Sequence, residues 1–407
     1  MRILFFSNIP IVGNTKDGYN GGGWISSLIT QLSHSNNIEM AVGFFGNNDK
    51  TSKHDNITFY EISRCSNSLL QKLKRKISLL SSKHLDAEKK TWSTYEGKLL
   101  KIVESFKPDI IHIFGSEQQF GLIANRTNIP LVLHIQGIIN PYFNALYPPS
   151  FSQPFGLKHR IKHHIWEQDC LREKEILSRV HNYIGRTAWD KRVTSIFNKT
   201  ANYFYGGEAL RDVFYEKCSR QIPQKLTIVS TISDPYYKGY DLILKTANLM
   251  KRQLELDFEW IVFGNVDPQY IEKKVGIKHE QVNVNLAGVT DASNLKKQIS
   301  NSTLFVHPSY IDNSPNSVCE AQLLGSTVIA ANVGGLPSLI ENSVNGFLVP
   351  ANDPYQLAYL IQELYSDPDL NISIGQKAKE IALQRHDQKK ISDNLLDIYS
   401  KLLKTNS

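Results

Sequence analysis

The chain has 407 residues, a length that two domains fill more readily than a single hydrophobic core. Hydrophobic residues make up 41%, which excludes a disordered or fibrous protein, and a net charge of +7 is too small to indicate a nucleic acid partner. Four scattered cysteines without a Cys-x-x-Cys pair indicate reduced thiols in a cytoplasmic protein. The opening MRILFFSNIPIV predicts a first strand rather than an export signal. Since no apolar run reaches about 18 residues, we expect no membrane-spanning helix.

Short apolar runs alternate with helical periods through the first half of the chain. In Trp24–Leu32 and Tyr95–Phe106 the apolar residues are spaced as on one face of a helix. This alternation predicts a parallel sheet that binds ligands at the carboxyl ends of its strands. The predicted strands lie near residues 2–7, 40–45, 109–114, 131–135 and 182–186.

The same alternation restarts near Leu226 and continues to Tyr365. We therefore predict an α/β fold of two open domains, residues 1–210 and 211–385, joined somewhere within 200–225 and separated by a ligand-binding cleft. A last amphipathic helix, residues 386–407, is expected to pack back on the first domain. The predicted strands of the second half lie near residues 226–230, 259–264, 282–288, 303–309, 326–332 and 346–350, with helices at 241–253, 294–301 and 354–365.

A glycine-rich loop precedes the first predicted helix in the sequence GYNGGGWISSL. Glycines allow a backbone to approach a ligand closely, so Gly22 and Gly23 are candidate substrate-binding residues. The pattern does not fit a nicotinamide-binding motif, because Ser26 follows Gly-x-Gly-x-x and no acidic residue ends the second strand. A merely flexible glycine loop is the alternative.

Two polar side chains stand at the ends of predicted strands in the first domain. His134 ends the strand LVLHI, and Arg186 ends the strand in IGRTAWD. Strand ends of this kind face the ligand crevice of an open sheet. Arg186 could bind an acceptor or a phosphate, or form a structural salt bridge, and His134 could equally be a structural histidine.

The segment HPSYIDNSPNSVCEAQ combines a helix start with two carboxylates. Ser314 and Pro315 suit the N-cap and the first position of a helix, whose amino end offers N–H groups to a phosphate. Asp312 and Glu320, eight residues apart, could accept hydrogen bonds from sugar hydroxyls. Alternatively, Asp312 and Ser314 only cap the helix, and Glu320 lies on a solvated face.

This segment, with its continuation QLLGSTVIAANVGGLPSLIENSVNGFLVPANDP, is similar to the core of the retaining glycosyltransferases of family 4. In that family two glutamates eight residues apart precede a small-residue turn, a strand, Gly-Gly and an NGFLV strand. The similarity is detailed over residues 300–355, and the doubled α/β pattern of the chain agrees with it. The resemblance implies a GT-B fold of two Rossmann-like domains facing each other across a cleft. It also implies a nucleotide-diphosphate sugar donor and neither a metal nor another cofactor.

The resemblance implies roles for individual residues in this segment. Glu320 matches the second family glutamate, which holds the ribose hydroxyls. Asp312 stands where the first glutamate faces the donor sugar, and its shorter side chain departs from the family. The backbone groups of Pro315, Asn316 and Ser317 are implied to bind sugar hydroxyls and phosphates.

Three further implications concern cations and a histidine. Lys238, in DPYYKGYDLI, matches the family lysine that grips the diphosphate. The arginine that accompanies it in the family has no counterpart between Leu226 and Lys238, so that cation is missing or comes from elsewhere. His134 resembles the family histidine that approaches the donor sugar. Asp312, Lys238 and His134 are therefore the expected catalytic residues.

The stretch NSLLQKLKRKISLL, residues 67–80, predicts a basic amphipathic helix. Its leucines and isoleucine share one face, and Lys72, Lys74, Arg75 and Lys76 lie between them. Such a helix can bind an anionic membrane surface, or it can pack on its own domain with its basic face in water.

Together these features predict a retaining glycosyltransferase of the hexosyltransferase type, acting from a nucleotide sugar on a hydroxyl acceptor. The acceptor is expected to be a glycan or lipid-linked glycan of cell-surface polysaccharide synthesis, on the cytoplasmic face of the membrane. Two alternatives remain: a sugar-nucleotide epimerase or hydrolase of the same fold, and a non-catalytic sugar-nucleotide-binding partner of another transferase. No signature of nucleic acid binding is found.

Overall fold

The computed structural model of the protein describes residues 1–8, 23–33, 38–64, 84–146 and 156–405. Its strands form one sheet of eight and one sheet of six within these ranges. The segment from Gly206 to Lys225 joins the last strand of the first sheet to the first strand of the second. Two α/β domains follow from this division, as the alternation of strands and helices predicts.

The first sheet has the strand order β3-β4-β2-β1-β5-β6-β7-β8, in which only the β3–β4 hairpin is antiparallel. That hairpin was not predicted, because its outer strand KTSKH is exposed throughout and has no apolar alternation. The strands are β1 (Arg2–Ser7), β2 (Glu39–Gly46), β3 (Lys50–His54), β4 (Ile57–Ser63), β5 (Ile110–Phe114), β6 (Leu131–His134), β7 (Asn182–Gly185) and β8 (Asn202–Tyr205). The helices are α1 (Gly23–Ser33), α2 (His84–Phe106), α3 (Ile139–Ala145), α4 (Gly156–Arg179) and α5 (Ala188–Phe197).

The second sheet is parallel throughout, with the order β11-β10-β9-β12-β13-β14. Its strands are β9 (Leu226–Thr231), β10 (Phe258–Phe263), β11 (Val284–Gly288), β12 (Leu304–His307), β13 (Val328–Ala331) and β14 (Phe347–Val349). The helices are α6 (Tyr240–Arg252), α7 (Gln269–Val275), α8 (Ala292–Ser300), α9 (Asn316–Leu323), α10 (Pro354–Ser366), α11 (Pro368–Arg385) and α12 (Gln388–Thr405).

Each sheet contains a point at which the strand order reverses. In the first sheet β1 lies between β2 and β5, and in the second sheet β9 lies between β10 and β12. Loops that leave the carboxyl ends of such neighbours run in opposite directions and open a crevice. The inner strands are buried on both faces, which is why they appear in the sequence as continuous apolar runs.

The last helix, α12, packs on the first sheet although it follows the second domain in the chain. Its residues Ile391, Leu395 and Leu402 belong to the same buried cluster as Trp24 of α1. The hydroxyl of Tyr399 lies 2.6 Å from Nδ1 of His112 in β5. None of the helices described here combines the length and the hydropathy that a membrane crossing requires.

Candidate active site

A cavity of about 520 Å³ lies between the carboxyl ends of the two sets of strands. This volume is typical of sites for small molecules and cofactors. The first-domain wall consists of Trp24 of α1, Gln136 after β6 and Arg186 after β7. The second-domain wall includes Lys238 and residues 314–317, together with residues that follow β9, β10 and β11. The cavity is therefore shared by both domains, at the position where open α/β sheets bind ligands.

The structure brings five of the sequence-predicted site residues together on this cavity. They are Arg186, Lys238, Pro315, Asn316 and Ser317. Gly23 is the first residue of α1. Gly22 and the predicted basic helix 67–80 lie outside the described residues.

The helix beside the cavity begins one residue later than predicted. Helix α9 begins at Asn316 with Pro315 as its N-cap, and no side chain caps it. Ser314 as N-cap was wrong, because its hydroxyl instead donates to Oε2 of Glu208 at 3.0 Å. Because no described side chain caps α9, its first N–H groups can donate to a ligand in the cavity.

Asp312 is the centre of a buried hydrogen-bond network. Its Oδ2 accepts from Lys238 Nζ and lies 2.8 Å from His307 Nε2. Its Oδ1 accepts from the hydroxyl of Tyr142 at 3.0 Å and from the amide of Asn313 at 3.1 Å. Burial raises the pKa of Asp312, but Lys238 and His307 outweigh burial and hold the pKa below its ordinary value. Asp312 is therefore an ionised carboxylate beside the cavity and not a helix cap.

Glu320 has a different and simpler environment. Nε and Nη2 of Arg211 each donate to one of its carboxylate oxygens at 2.8 Å. Glu320 is 1% exposed and lies one helical turn behind Asn316 and Ser317, so the alternative of a solvated face is wrong. Burial raises the pKa of Glu320, and the bonds from Arg211 oppose that shift.

Arg186 both lines the cavity and forms a buried ion pair. Its Nη1 pairs with Oε1 of Glu208, and its Nη2 donates to the carbonyl oxygen of Gln136 at 2.8 Å. The guanidinium lies 5.3 Å from the centroid of the Trp24 ring, within reach of a cation–π interaction. The two alternatives left open by the sequence, a ligand-binding arginine and a salt-bridged one, thus describe the same residue.

His134 does not line the cavity, contrary to the expectation that it faces the ligand. It is 1% exposed, and its ring packs against Trp24, His112 and Phe114. Neither ring nitrogen has a hydrogen-bond partner among the described residues. Burial lowers the pKa of His134 well below its ordinary value, so the imidazole is neutral. Its contact with the site passes through Trp24.

A polar junction that the sequence reasoning missed fixes one wall to the other. The side chain of Asn313 accepts from Thr187 Oγ1 at 2.6 Å and donates to Gln136 O and Asp190 Oδ2 at 3.1 and 3.0 Å. Thr187 and Asp190 form the capping box of α5. The Thr-x-x-Asp spacing within IGRTAWD was the available signal for this helix start. Glu208 and Arg211 were also missed as site residues, since GGEALR served only to mark the domain junction.

The described residues contain no group of three or more His, Cys, Asp or Glu side chains that could hold a metal ion. Lys238 and the uncapped start of α9 provide the positive electrostatic potential at the second-domain wall. These groups can bind an anion such as a diphosphate.

Comparison with known proteins agrees with this geometry. Residues 218–381 match the family described as Glycosyl transferases group 1. The D-inositol 3-phosphate glycosyltransferase of Saccharomonospora viridis is 34% identical over 96 residues, which cover 24% of this chain and 22% of that protein. The chain thus matches about a fifth of the length of this relative.

Solved structures match the whole architecture at low sequence identity. Sucrose-phosphate synthase from Thermosynechococcus elongatus superposes with a TM-score of 0.74 at 16% identity, over 99% of both chains. HepE of Anabaena, determined in complex with UDP-glucose, superposes with a TM-score of 0.65 at 17% identity, over 98% of this chain and all of that one. The fold of this protein is therefore GT-B, and its second domain matches the family described as Glycosyl transferases group 1.

Proposed function

We propose that the protein is a retaining glycosyltransferase that moves a hexose-type sugar from a nucleoside-diphosphate sugar to a hydroxyl acceptor. The observation that carries the proposal is the convergence of two groups at one interdomain cavity: Lys238, which is paired with the ionised Asp312, and the uncapped start of α9. A cation and helix N–H groups suit a diphosphate, and a carboxylate beside them suits the sugar that leaves it.

The cavity has an apolar end and a charged end, which support an orientation for the donor. Phe263, Val289 and Leu295 line it near the ends of β10 and β11, where a nucleobase would find apolar surface. Lys238 and Asn316 line the charged end, where the phosphates would bind. HepE, which shares the fold, binds UDP-glucose, and this supports a nucleotide sugar as the donor.

Asp312 and Lys238 have complementary roles in the proposed reaction. As the bond between the anomeric carbon and the phosphate oxygen breaks, positive charge develops on the sugar ring and negative charge develops on the diphosphate. The Asp312 carboxylate stabilises the ring, and Lys238 with the α9 N–H groups stabilises the leaving group. The acceptor oxygen then bonds to the anomeric carbon on the face that the phosphate left, and its proton passes to a departing phosphate oxygen. Configuration is thereby retained.

The proposal is tested first by ligand binding and then by turnover. Thermal unfolding with ADP, GDP, UDP and their glucose conjugates should identify a base that raises the melting temperature. The best conjugate, incubated with the protein alone, should then be hydrolysed slowly, because water acts as the hydroxyl acceptor. Proton NMR before mutarotation should show a released sugar with the anomeric configuration of the donor. Release of a sugar with the inverted anomeric configuration would contradict retention. Formation of a new sugar nucleotide would indicate an epimerase. Binding of the donor without turnover would indicate a non-catalytic sugar-nucleotide-binding protein.

No metal enters the proposed mechanism, because Lys238 and the helix start bear the charge of the leaving group. Excess chelator should therefore leave the rate of donor hydrolysis nearly unchanged. A loss of activity that magnesium or manganese restores would contradict this part of the proposal.

For the acceptor we propose a glycan or lipid-linked glycan of cell-surface polysaccharide synthesis, reached from the cytoplasmic side of an anionic membrane. The support is the basic amphipathic sequence at residues 67–80. Wild-type protein should sediment with phosphatidylserine vesicles, and Leu73→Glu combined with Lys74→Glu should reduce that binding. Equal sedimentation of both proteins would contradict membrane binding by this segment.

A further inference from the structure

The charged end of the cavity holds two cations among the described residues that line it, Lys238 and Arg186. They stand on opposite walls, one from each domain. Lys238 is already ion-paired with Asp312, which neutralises much of its charge. A diphosphate presents two adjacent anionic groups, so Lys238 alone leaves part of that charge without a counter-ion.

Arg186 has the chemistry that a second phosphate requires. A guanidinium offers a planar fork of N–H donors that matches the oxygens of a carboxylate or a phosphate. Arg186 is 7% exposed, and its Nε has no hydrogen-bond partner among the described residues. Burial lowers its pKa, whereas Asp190 and Asp312 are among the groups that raise it. Arg186 therefore lies within electrostatic reach of the Asp312 carboxylate.

Two other cations among the described residues have carboxylate partners of their own. Arg211 is bound by both oxygens of Glu320, and Lys162 pairs with Asp234 at 2.9 Å. Neither of these two cations lines the cavity. Arg186 is thus the better placed partner for Lys238 in the described part of the chain.

We propose that Arg186 is the second cation of the diphosphate site, supplied across the cleft by the first domain, and that Glu208 competes with the phosphate for its guanidinium. The inference rests on the proposed function. Oε1 of Glu208 pairs with Arg186, and Oε2 accepts from Ser314, which itself lines the cavity. A phosphate oxygen can replace the carboxylate oxygen at the same donors. The diphosphate then bridges the two domains directly.

The competition predicts opposite effects from the two members of one ion pair. Arg186→Gln should lower affinity for a nucleoside diphosphate about tenfold to a hundredfold, the value of one or more charged hydrogen bonds. Glu208→Gln removes the competing charge while its amide can still bond to Ser314, so it should raise that affinity severalfold. A salt bridge with only a structural role would shift both variants in the same direction or leave affinity unchanged.

The experiment is isothermal titration calorimetry of ADP, GDP, UDP and the three monophosphates with each variant. The readout is the ratio of the dissociation constant of the monophosphate to that of the diphosphate for the preferred base, which a general loss of stability does not move. Arg186→Gln should lower this ratio, Glu208→Gln should raise it, and the exposed Arg192→Gln should leave it as in the wild type. The double variant Arg186→Gln with Glu208→Gln leaves no unpaired buried charge, and it should have the low ratio of Arg186→Gln.

Each outcome separates this inference from the proposed function. If the wild type prefers the diphosphate and both the single and the double Arg186 variants keep that preference, the inference is wrong and the proposed function stands. If Glu208→Gln lowers the ratio, the inference that Glu208 competes with the phosphate for Arg186 is wrong. If the wild type binds none of the six nucleotides, the proposed function fails and the inference fails with it. Should Arg186→Gln not fold, the double variant and Arg186→Lys, which loses the planar fork, decide the question.

Discussion

The two walls of the cavity are encoded in the sequence in different ways. The second-domain wall includes one continuous stretch, residues 314–317, in which the turn after β12 leads directly into the start of α9. The first-domain wall comes from Trp24, Gln136 and Arg186, three residues from distant parts of the chain. A local sequence pattern therefore describes this part of the second-domain wall, whereas only the folded first sheet brings the residues of the first-domain wall together.

The same contrast appears in the two buried carboxylates. Among the described residues, the carboxylate of Glu320 has a single partner, Arg211, from the segment between the domains. Asp312 accepts hydrogen bonds from donors of both domains, since Tyr142 belongs to α3 of the first domain and Lys238 to the second. Asp312 thus lies where the two walls meet, and Glu320 belongs to the second domain and its linker. Variants at the two positions should separate sugar transfer from nucleotide binding.

The largest expected effect is that of Asp312→Asn on turnover. The substitution preserves size but removes the charge that stabilises the sugar ring, so donor turnover should fall on the order of a hundredfold or more, as for loss of one electrostatic stabiliser. Turnover is measured as release of the nucleoside diphosphate. Asp312→Glu keeps the charge and should retain more activity than Asp312→Asn. Full turnover in Asp312→Asn would reduce this residue to a structural role.

Glu320→Ala should act mainly on nucleotide affinity. We propose that Glu320 binds the ribose hydroxyls, as the resemblance to family 4 implies, so its loss should weaken binding of the nucleoside diphosphate about tenfold to a hundredfold. The truncation also leaves Arg211 buried without its partner, so unfolding must be recorded in parallel. Glu320→Gln combined with Arg211→Gln removes both charges and serves as the control for that loss of stability. An unchanged dissociation constant in Glu320→Ala would place Glu320 outside the nucleotide site.

Asn313→Ala tests the junction between the two walls. The side chain makes three hydrogen bonds to first-domain residues, and its loss leaves buried groups of Thr187 and Asp190 with fewer partners. We expect the free energy of unfolding to fall by about 1–3 kcal/mol, measured by urea denaturation. The exposed Asn285→Ala is the matched control and should change it by less than about 0.5 kcal/mol. Equal free energies of unfolding for the two variants would mean that the Asn313 hydrogen bonds do not stabilise the protein.

Acid should destabilise the protein through a histidine of the first domain. Burial lowers the pKa of His112 to about 3, whereas in the unfolded chain a histidine titrates near 6.5. The unfolded state therefore binds the extra proton between these values, and the free energy of unfolding falls as the pH drops from about 6.5 towards 3, by at most about 1.4 kcal/mol per pH unit for this group. His112→Asn should reduce this slope in urea denaturation series. A slope that is the same in both proteins would exclude His112 as the cause.

The sequence predicted the α/β class and the inner strands, because these depend on local spacing. Of the five residues that converge on the cavity, Arg186 was predicted from its position at a strand end, whereas Lys238 and residues 315–317 were implied by the resemblance to family 4. It did not predict the β3–β4 hairpin, since exposed polar strands lack the alternation that identifies a half-buried sheet. His134 was misplaced because a strand-end position does not reveal that Trp24 packs over the ring. The partners of the charged residues, Arg211 with Glu320 and Arg186 with Glu208, are contacts between distant segments that no local pattern contains.

The most direct test of the central claim is a crystal structure of the protein with the nucleoside diphosphate that binds most tightly. We expect density for the phosphates beside Lys238 and the first N–H groups of α9, with the base near Val289 and Leu295. Such density would span the region where the two walls face each other. A nucleotide bound away from this cavity, or phosphates at the Val289 end with the base beside Lys238, would contradict it.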